Sequence, residues 1–208
     1  MPVQEELARV MPAIFALREL GYALSIDTCK PEVMREAIIA GADMINDINA
    51  FRAPGAIEAV ADSDCGLCIM HMQGTPQNMQ AQPAYQDVVG EVIAFLRERI
   101  EALEAAGVAR ERVTIDPGFG FGKTVEHNVA LLRSISRMER ELGLPVLAGL
   151  SRKSMIGALT GRPVEQRLAG SLGGALAAVA QGARIVRVHD VAETVDAIRV
   201  WNATFADN

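Results

Sequence analysis

The sequence lacks several things that would otherwise direct its reading. No apolar run reaches the roughly 18 residues that a membrane-spanning helix needs, which argues against a membrane protein. There is no excess of positive charge. Twenty-six acidic residues face 20 basic ones, a net charge of −6, and broad nucleic-acid binding depends on the opposite balance. An even set of cysteines is also missing. Three cysteines do not make a disulfide framework, and they point to a reducing cytoplasm. The start, "MPVQEELARVMPAI", is acidic and amphipathic and does not read as a signal peptide. No linker or low-complexity stretch divides the chain, so residues 1–208 are expected to form one domain.

What is present is an ordinary globular composition, 50% hydrophobic and 22% charged over 208 residues. Residues 3–20 read as a leading helix, with Leu7, Val10, Met11, Ile14 and Leu17 on one face. Six short apolar runs follow, at residues 22–26, 43–48, 67–71, 112–115, 145–150 and 184–188. They are apolar on both faces, as the strands of a buried parallel sheet are. Helical stretches alternate with them at residues 32–40, 55–61, 85–106, 125–142 and 164–181, and residues 190–205 close the chain. The longest shows the 3.6-residue period at Val89, Val92, Ile93, Leu96, Ile100 and Leu103. Six strand–helix units behind an orphan helix imply an α/β fold with parallel strands. That leaves an open doubly wound sheet or a barrel, and an eight-unit barrel usually takes about 250 residues.

Every predicted strand ends in polar chemistry: "SIDTCKP", "INDINAF", "IMHMQGTP", "TIDPGFGFGK", "LSRKS" and "RVHD". In parallel α/β folds, ligands bind at the carboxyl ends of the strands. Asp27, Asn46 and Asp116 cap three of them. Two carboxylates and an amide suit a flat heterocycle with several N–H donors. The bland readings are a helix cap for Asp27 and a turn residue for Asp116. Ser151 and Lys153 alternate, as do Arg187 and His189, and would project to one side if strand geometry persists. Cationic groups at strand tips of an acidic chain suggest an anionic ligand such as a phosphate. Surface salt bridges would explain single charges, but not their shared location.

Two motifs invite other readings. "CGLCIMH" places Cys65, Cys68 and His71 at a zinc-like spacing, but on a strand His71 points away from the face shared by Cys68 and Met70. Core cysteines are the expectation. "DPGFGFGKT" ends like a nucleotide-binding loop, yet Pro117 stands where the first glycine belongs. Its glycines are expected to bring backbone close to a ligand, with Phe119 or Phe121 as an apolar wall.

Taken together, "SIDTCKPEVMREAI", "INDINAF", "IMHMQGTP", "IDPGFGFGK", "GLSRKSMIG" and "RVHDV" resemble the dihydropteroate synthase family, in the same order along nearly the whole chain. The resemblance implies a TIM (β/α)8-barrel fold, of which this chain holds six strand–helix units plus the leading helix. It implies a transferase of folate biosynthesis. p-Aminobenzoate would condense with a dihydropterin-methyl pyrophosphate to give dihydropteroate and pyrophosphate, with sulfonamides competing for the aminobenzoate site. Asp27, Asn46, Met70, Asp116 and Lys153 match pterin positions. Asp116 and Lys153 are the expected catalytic pair. Arg187 and His189 match pyrophosphate positions, and Phe121, Ser151 and Arg152 match the surroundings of the aminobenzoate. Mg²⁺ is implied as the cofactor on the leaving group.

The chain departs from the family at its start. "PVQEELARVMPAI" resembles the helix after the family's second strand, and the first two strands with their loops have no counterpart. Those loops carry a metal-contacting asparagine, so no metal ligand is assigned. The expectation is a single pterin-binding barrel domain, incomplete at its N-terminus, weakly active or inactive alone. Cys29 stands where serine is common. The small-residue stretch "RLAGSLGGALAAVAQGA" suggests a homodimer through the late helices, against the bland reading of packing within the barrel. Two rivals are a pterin-dependent methyltransferase-like barrel and a non-catalytic pterin-binding fragment. "SRK" and "RVHD" count against the methyltransferase, since a methyl donor brings no pyrophosphate.

Overall fold

A computed structural model describes residues 1–74, 79 and 83–205. The last two residues of "IMHMQGTP", Thr75 and Pro76, lie outside them. Helix α1 (Val3–Leu17) leads, followed by β1 (Ser25–Asp27), α2 (Pro31–Ile39), β2 (Met44–Asp47), α3 (Ala56–Val60) and β3 (Gly66–Met70). Then come α4 (Val88–Ala105), β4 (Val113–Asp116), α5 (Val125–Arg133), α6 (Ile135–Leu142), β5 (Leu147–Ala148), α7 (Ser154–Thr160), α8 (Leu168–Ala180), β6 (Ile185–Val186) and α9 (Val191–Phe205). Short 3₁₀ turns sit at Arg18–Leu20, Arg110–Arg112 and Val164–Gln166. Cα proximity groups the chain into two compact units, Met1–His71 with Ala94–Ile115, and Met72–Ile93 with Asp116–Asn208.

The first unit holds a four-stranded sheet in the order β1-β2-β3-β4. β1 pairs parallel with β2, setting Asp27 opposite Asn46, and β2 pairs parallel with β3, setting Asn46 opposite Cys68. Ile45, Leu67, Ile69, Val113 and Ile115 from these strands are fully buried, with Phe51, Leu96, Ile100 and Leu103. Each such side chain contributes about 1.5–3 kcal/mol through burial. α2 begins at Pro31, whose fixed backbone angle suits a first helical position. The 3.6-residue period of α4 holds: Val92, Leu96 and Leu103 are fully buried.

The second unit holds the parallel pair β5–β6, with Leu147 opposite Ile185 and Ala148 opposite Val186. Phe119, Leu131, Ile135, Met138 and Val146 form its apolar interior. Glycines let α7 and α8 pack closely. A Cβ on Gly170 would come within 2.5 Å of the Ile156 side chain, and one on Gly174 would touch Ile156 and Leu150 at 3.4 and 3.6 Å. Gly173 has open space beside it.

Three expectations are corrected. The strands are not all apolar on both faces. β2 to β5 are mainly buried, but Ser25 and Asp27 of β1 and Ile185 of β6 are exposed, so these two strands each present a side to solvent. The helix expected over residues 125–142 is two helices. The backbone steps out of helical geometry at Ser134 (φ −109°, ψ 10°), whose carbonyl then starts α6 by accepting from the Met138 amide at 3.0 Å. Helix α7 is an addition to the helices that the sequence pattern predicts. It has seven residues, no side-chain cap and Gly157 in its middle, so it carries no strong pattern.

Candidate functional site

In the first unit, the sheet register places Asp27, Asn46 and Cys68 side by side on three adjacent strands. Met70 follows Cys68 by two residues, on the same face, and is 3% exposed. Asp27 is not a cap for α2, which Lys30 starts without side-chain help. Asn46 is buried, and its Oδ1 is the one buried side-chain oxygen or nitrogen among the described residues without a hydrogen-bond partner. A buried, unpaired amide oxygen costs about 1–3 kcal/mol unless something donates to it. Asp47, next along β2, does something different. Its carboxylate accepts from the Asn49 and Phe51 amides at 2.8 and 2.7 Å, holding a turn in which Ala50 and Phe51 are left-handed. Arg99 adds a hydrogen bond to the Ala50 carbonyl at 3.0 Å. Burial outweighs these bonds and raises the Asp47 carboxyl above its ordinary range.

In the second unit, Asp116 ends β4 and is buried. Its Oδ1 accepts from the Gly118 amide at 2.7 Å, so the turn role read from the sequence is real. It also faces charge. Burial raises its pKa, opposed by Lys153, Lys123 and Arg187. Lys153 is pushed the other way by burial, with Asp116 resisting and Arg187 assisting. The Lys153 ammonium donates to the Phe119 carbonyl and lies 4.8 Å from the centre of the Phe121 ring. Gly118, Gly120 and Gly122 all have positive φ (72°, 79° and 64°), so every second residue of this loop is left-handed. Phe119 is thereby turned into the core and Phe121 is left half-buried. A Cβ on Gly122 would come within 2.6 Å of the Gln73 carbonyl.

A cavity of about 160 Å³ opens beyond β5 and β6, lined by Gly149, Ser151, Lys153, Arg187, Val188 and His189. All four of the polar residues expected at these strand tips line it. The expected reason fails, however. Strand geometry does not persist past Ala148 and Val186. A turn with Arg152 in the left-handed region (φ 58°) delivers Ser151 and Lys153 to the same place. Ser151 Oγ lies 3.0 Å from His189 Nδ1 and accepts from the His189 amide at 3.3 Å. Arg152 is turned outward. Its guanidinium is ion-paired with Asp190, and its amide donates to Ser171 Oγ at 2.9 Å.

Sequence reasoning passed over Lys123, Tyr85 and Asn128. Lys123 is 4% exposed, and its ammonium donates to the Phe121 carbonyl at 3.0 Å. Burial lowers its pKa to about 7, against the pull of Asp116 and with a further push from Lys153. The "GKT" run that suggested a phosphate loop was the available signal. A lysine buried this way is a loop component. Thr124 instead caps α5, exchanging hydrogen bonds with His127.

Magnesium is the ion that the family resemblance implies. Among the described residues, no group of three or more His, Cys, Asp or Glu could hold a metal. The cavity at β5 and β6 presents a lysine, an arginine, a histidine and a serine, whereas Mg²⁺ takes oxygen ligands, chiefly carboxylate and phosphate. The residues present do not fit a protein-held ion. Cys65 and Cys68 are buried and in no disulfide, and the rings of His71 and Phe95 meet edge to face with centres 5.0 Å apart.

The family model for pterin binding enzymes matches residues 1–189. The dihydropteroate synthase of Haemophilus influenzae is 51% identical over 202 residues, covering 97% of this chain and 73% of that protein. The chain belongs to the dihydropteroate synthase family of pterin binding enzymes. The Escherichia coli K12 member is 48% identical over 205 residues, covering 98% of this chain and 72% of that protein. Among solved structures, dihydropteroate synthase from Xanthomonas albilineans in complex with 7,8-dihydropteroate aligns over 100% of this chain and 77% of its own (TM-score 0.93, 54% identity). The Stenotrophomonas maltophilia enzyme covers 100% and 79% (TM-score 0.97, 53% identity). The fold is therefore that of the TIM (β/α)8-barrel family, with six strand–helix units and one leading helix among the described residues. The synthase reading stands over the methyltransferase alternative.

Proposed function

We propose that this chain performs the reaction of its family, joining p-aminobenzoate to the methylene carbon of a dihydropterin-methyl pyrophosphate. The amine nitrogen forms the new C–N bond, the C–O bond to pyrophosphate breaks, and its electron pair leaves with the pyrophosphate. The amine proton passes to solvent. An arylamine is already nucleophilic, so no covalent enzyme intermediate is required.

The buried Asn46 Oδ1, without a partner and in register with Asp27, carries this reading. It calls for a ligand N–H. By resemblance to the family, Asp27, Asn46, Met70, Asp116 and Lys153 are assigned to the pterin. The buried Asp116 carboxylate suits a developing pterin cation, a role for fixed charge in a site that excludes water. Arg187 and His189 are assigned to the pyrophosphate, and Phe121, Ser151 and Arg152 to the aminobenzoate. The cationic lining of the β5–β6 cavity supports an anion there. Arg152 would have to leave Asp190 to reach a ligand directly.

Sulfonamide sensitivity is part of the proposal, because the Yersinia pestis relative was solved with a sulfonamide drug. So is a cytoplasmic setting, which three free cysteines support. Self-association through α8 and α9 is supported by the open flank of Gly173 and by exposed Val191, Val200 and Phe205. The test is calorimetric titration with the pterin pyrophosphate, then turnover of p-aminobenzoate. Binding followed by weak dihydropteroate formation is expected. Binding without turnover would leave a pterin-binding protein, and no binding would refute the proposal.

A further inference from the structure

We infer that Asn128, assisted by Tyr85, is a positioning residue that sets the glycine-rich loop so that Phe119 and Phe121 hold Lys153 in place. The inference rests on the pterin reading of Lys153. Asn128 lies in the first turns of α5 and is 2% exposed. Its side chain faces the loop rather than the apolar interior. Oδ1 accepts from the Gly120 amide at 2.8 Å, and Nδ2 donates to the Thr124 carbonyl at 2.6 Å and the Lys123 carbonyl at 3.4 Å. One amide thus ties the middle of the loop to its end. Tyr85 ties the loop from another side, its hydroxyl donating to the Gly122 carbonyl at 2.8 Å while its ring meets His127 edge-on at 5.0 Å.

The tied residues are the ones that need tying. Three left-handed glycines alternate with Phe119 and Phe121, and glycine backbone has the most freedom to lose. Between them, the Phe119 carbonyl and the Phe121 ring are two direct contacts of the Lys153 ammonium. The Gly120 amide sits between those two groups. A loop free to rotate at Gly120 would move both, and Lys153 would lose a fixed acceptor and its aromatic face. An apolar side chain at position 128 would fill the space but would leave the Gly120 amide and the Thr124 carbonyl without these bonds.

The test compares titration of the pterin pyrophosphate into the unaltered chain, Asn128→Ser, Tyr85→Phe and a control, Leu131→Ala, which removes core packing from the same helix. Thermal midpoints are measured for all four. Asn128→Ser is expected to bind about tenfold more weakly, the scale of a misplaced binding group. Tyr85→Phe is expected to bind about threefold more weakly, as for one lost hydrogen bond. Leu131→Ala should lose at least as much thermal stability as Asn128→Ser while keeping its affinity. Affinity that simply follows the thermal midpoint across all variants would make Asn128 structural only and overturn the inference. Unchanged binding in Tyr85→Phe and Asn128→Ser would overturn it as well. Failure of the unaltered chain to bind would instead refute the pterin reading on which it rests.

Discussion

Lys153 and Lys123 are two lysines about one loop, and their surroundings separate their roles. Lys153 is half-buried and reaches the cavity at the ends of β5 and β6. Lys153→Ala should leave the far-ultraviolet circular dichroism unchanged and weaken pterin pyrophosphate binding by about 10–100-fold, the worth of a charge-assisted hydrogen bond. Equal affinity would remove it from the site. Lys123 is closed off inside the loop, with a pKa near 7 instead of 10.5. Between pH 7 and 9 the unfolded chain keeps that proton while the folded chain gives it up. The unfolded state then binds more protons, so this group makes stability rise with pH. Lys153, also lowered by burial, acts in the same direction. Urea unfolding at the two pH values should show that the gain from pH 7 to 9 is smaller by about 2 kcal/mol in Lys123→Met. An identical gain in both proteins would mean that Lys123 is not buried as a charge.

At the scale of elements, single side chains close ends that the helices leave open. Arg112 is the clearest case. Its guanidinium donates to the Val60 carbonyl at 2.8 Å, to Ala61 and Cys65 carbonyls at 3.0 Å each, and to Ser63 Oγ at 3.1 Å. It thereby caps the last turn of α3 and ties it to the start of β3. Arg112→Met should keep the packing of the stem and lose these bonds. The expected cost is about 2–3 kcal/mol in urea unfolding, without loss of pterin affinity in the folded protein. Position 122 tests the loop backbone. An alanine there would face both a positive φ and a Cβ within 2.6 Å of the Gln73 carbonyl. Gly122→Ala should cost about 2 kcal/mol or more by thermal melting. A neutral effect would show that the loop moves freely away from Gln73.

For the whole molecule, the small-residue stretch on α8 now divides into two uses. Gly170 and Gly174 are spent on contact with α7, which is the bland reading of that motif. Gly173 is not, and exposed apolar side chains on α9 remain available. Light scattering at micromolar concentration should therefore report a dimer, and Gly173→Glu should shift it towards monomer. A monomeric mass for the unaltered chain would refute association through this face.

The order of elements and the polar strand ends were legible in the sequence because they follow local rules. Strand–helix alternation is written in hydrophobic period, and parallel sheets gather chemistry at one end of their strands. Thus Asp27, Asn46, Asp116, Lys153, Arg187 and His189 stand out from sequence alone as polar residues at strand ends. Arg112, Asn128, Tyr85 and the burial of Lys123 were not legible: Arg112 depends on carbonyls about 50 positions earlier and Tyr85 on Gly122, while Asn128 and Lys123 depend on a loop whose left-handed turns no hydrophobic period announces. Nor was the turn at Arg152, where a left-handed residue rather than a continuing strand brings Ser151 and Lys153 to one cavity. Local periodicity determined which segments are strands and helices and what chemistry they carry. Long-range hydrogen bonding and burial decided which amide stays unpaired, which lysine loses its charge most easily, and which side chains fix the loop. Those quantities depend on distance in space and on exclusion of water, and neither is a property of sequence spacing.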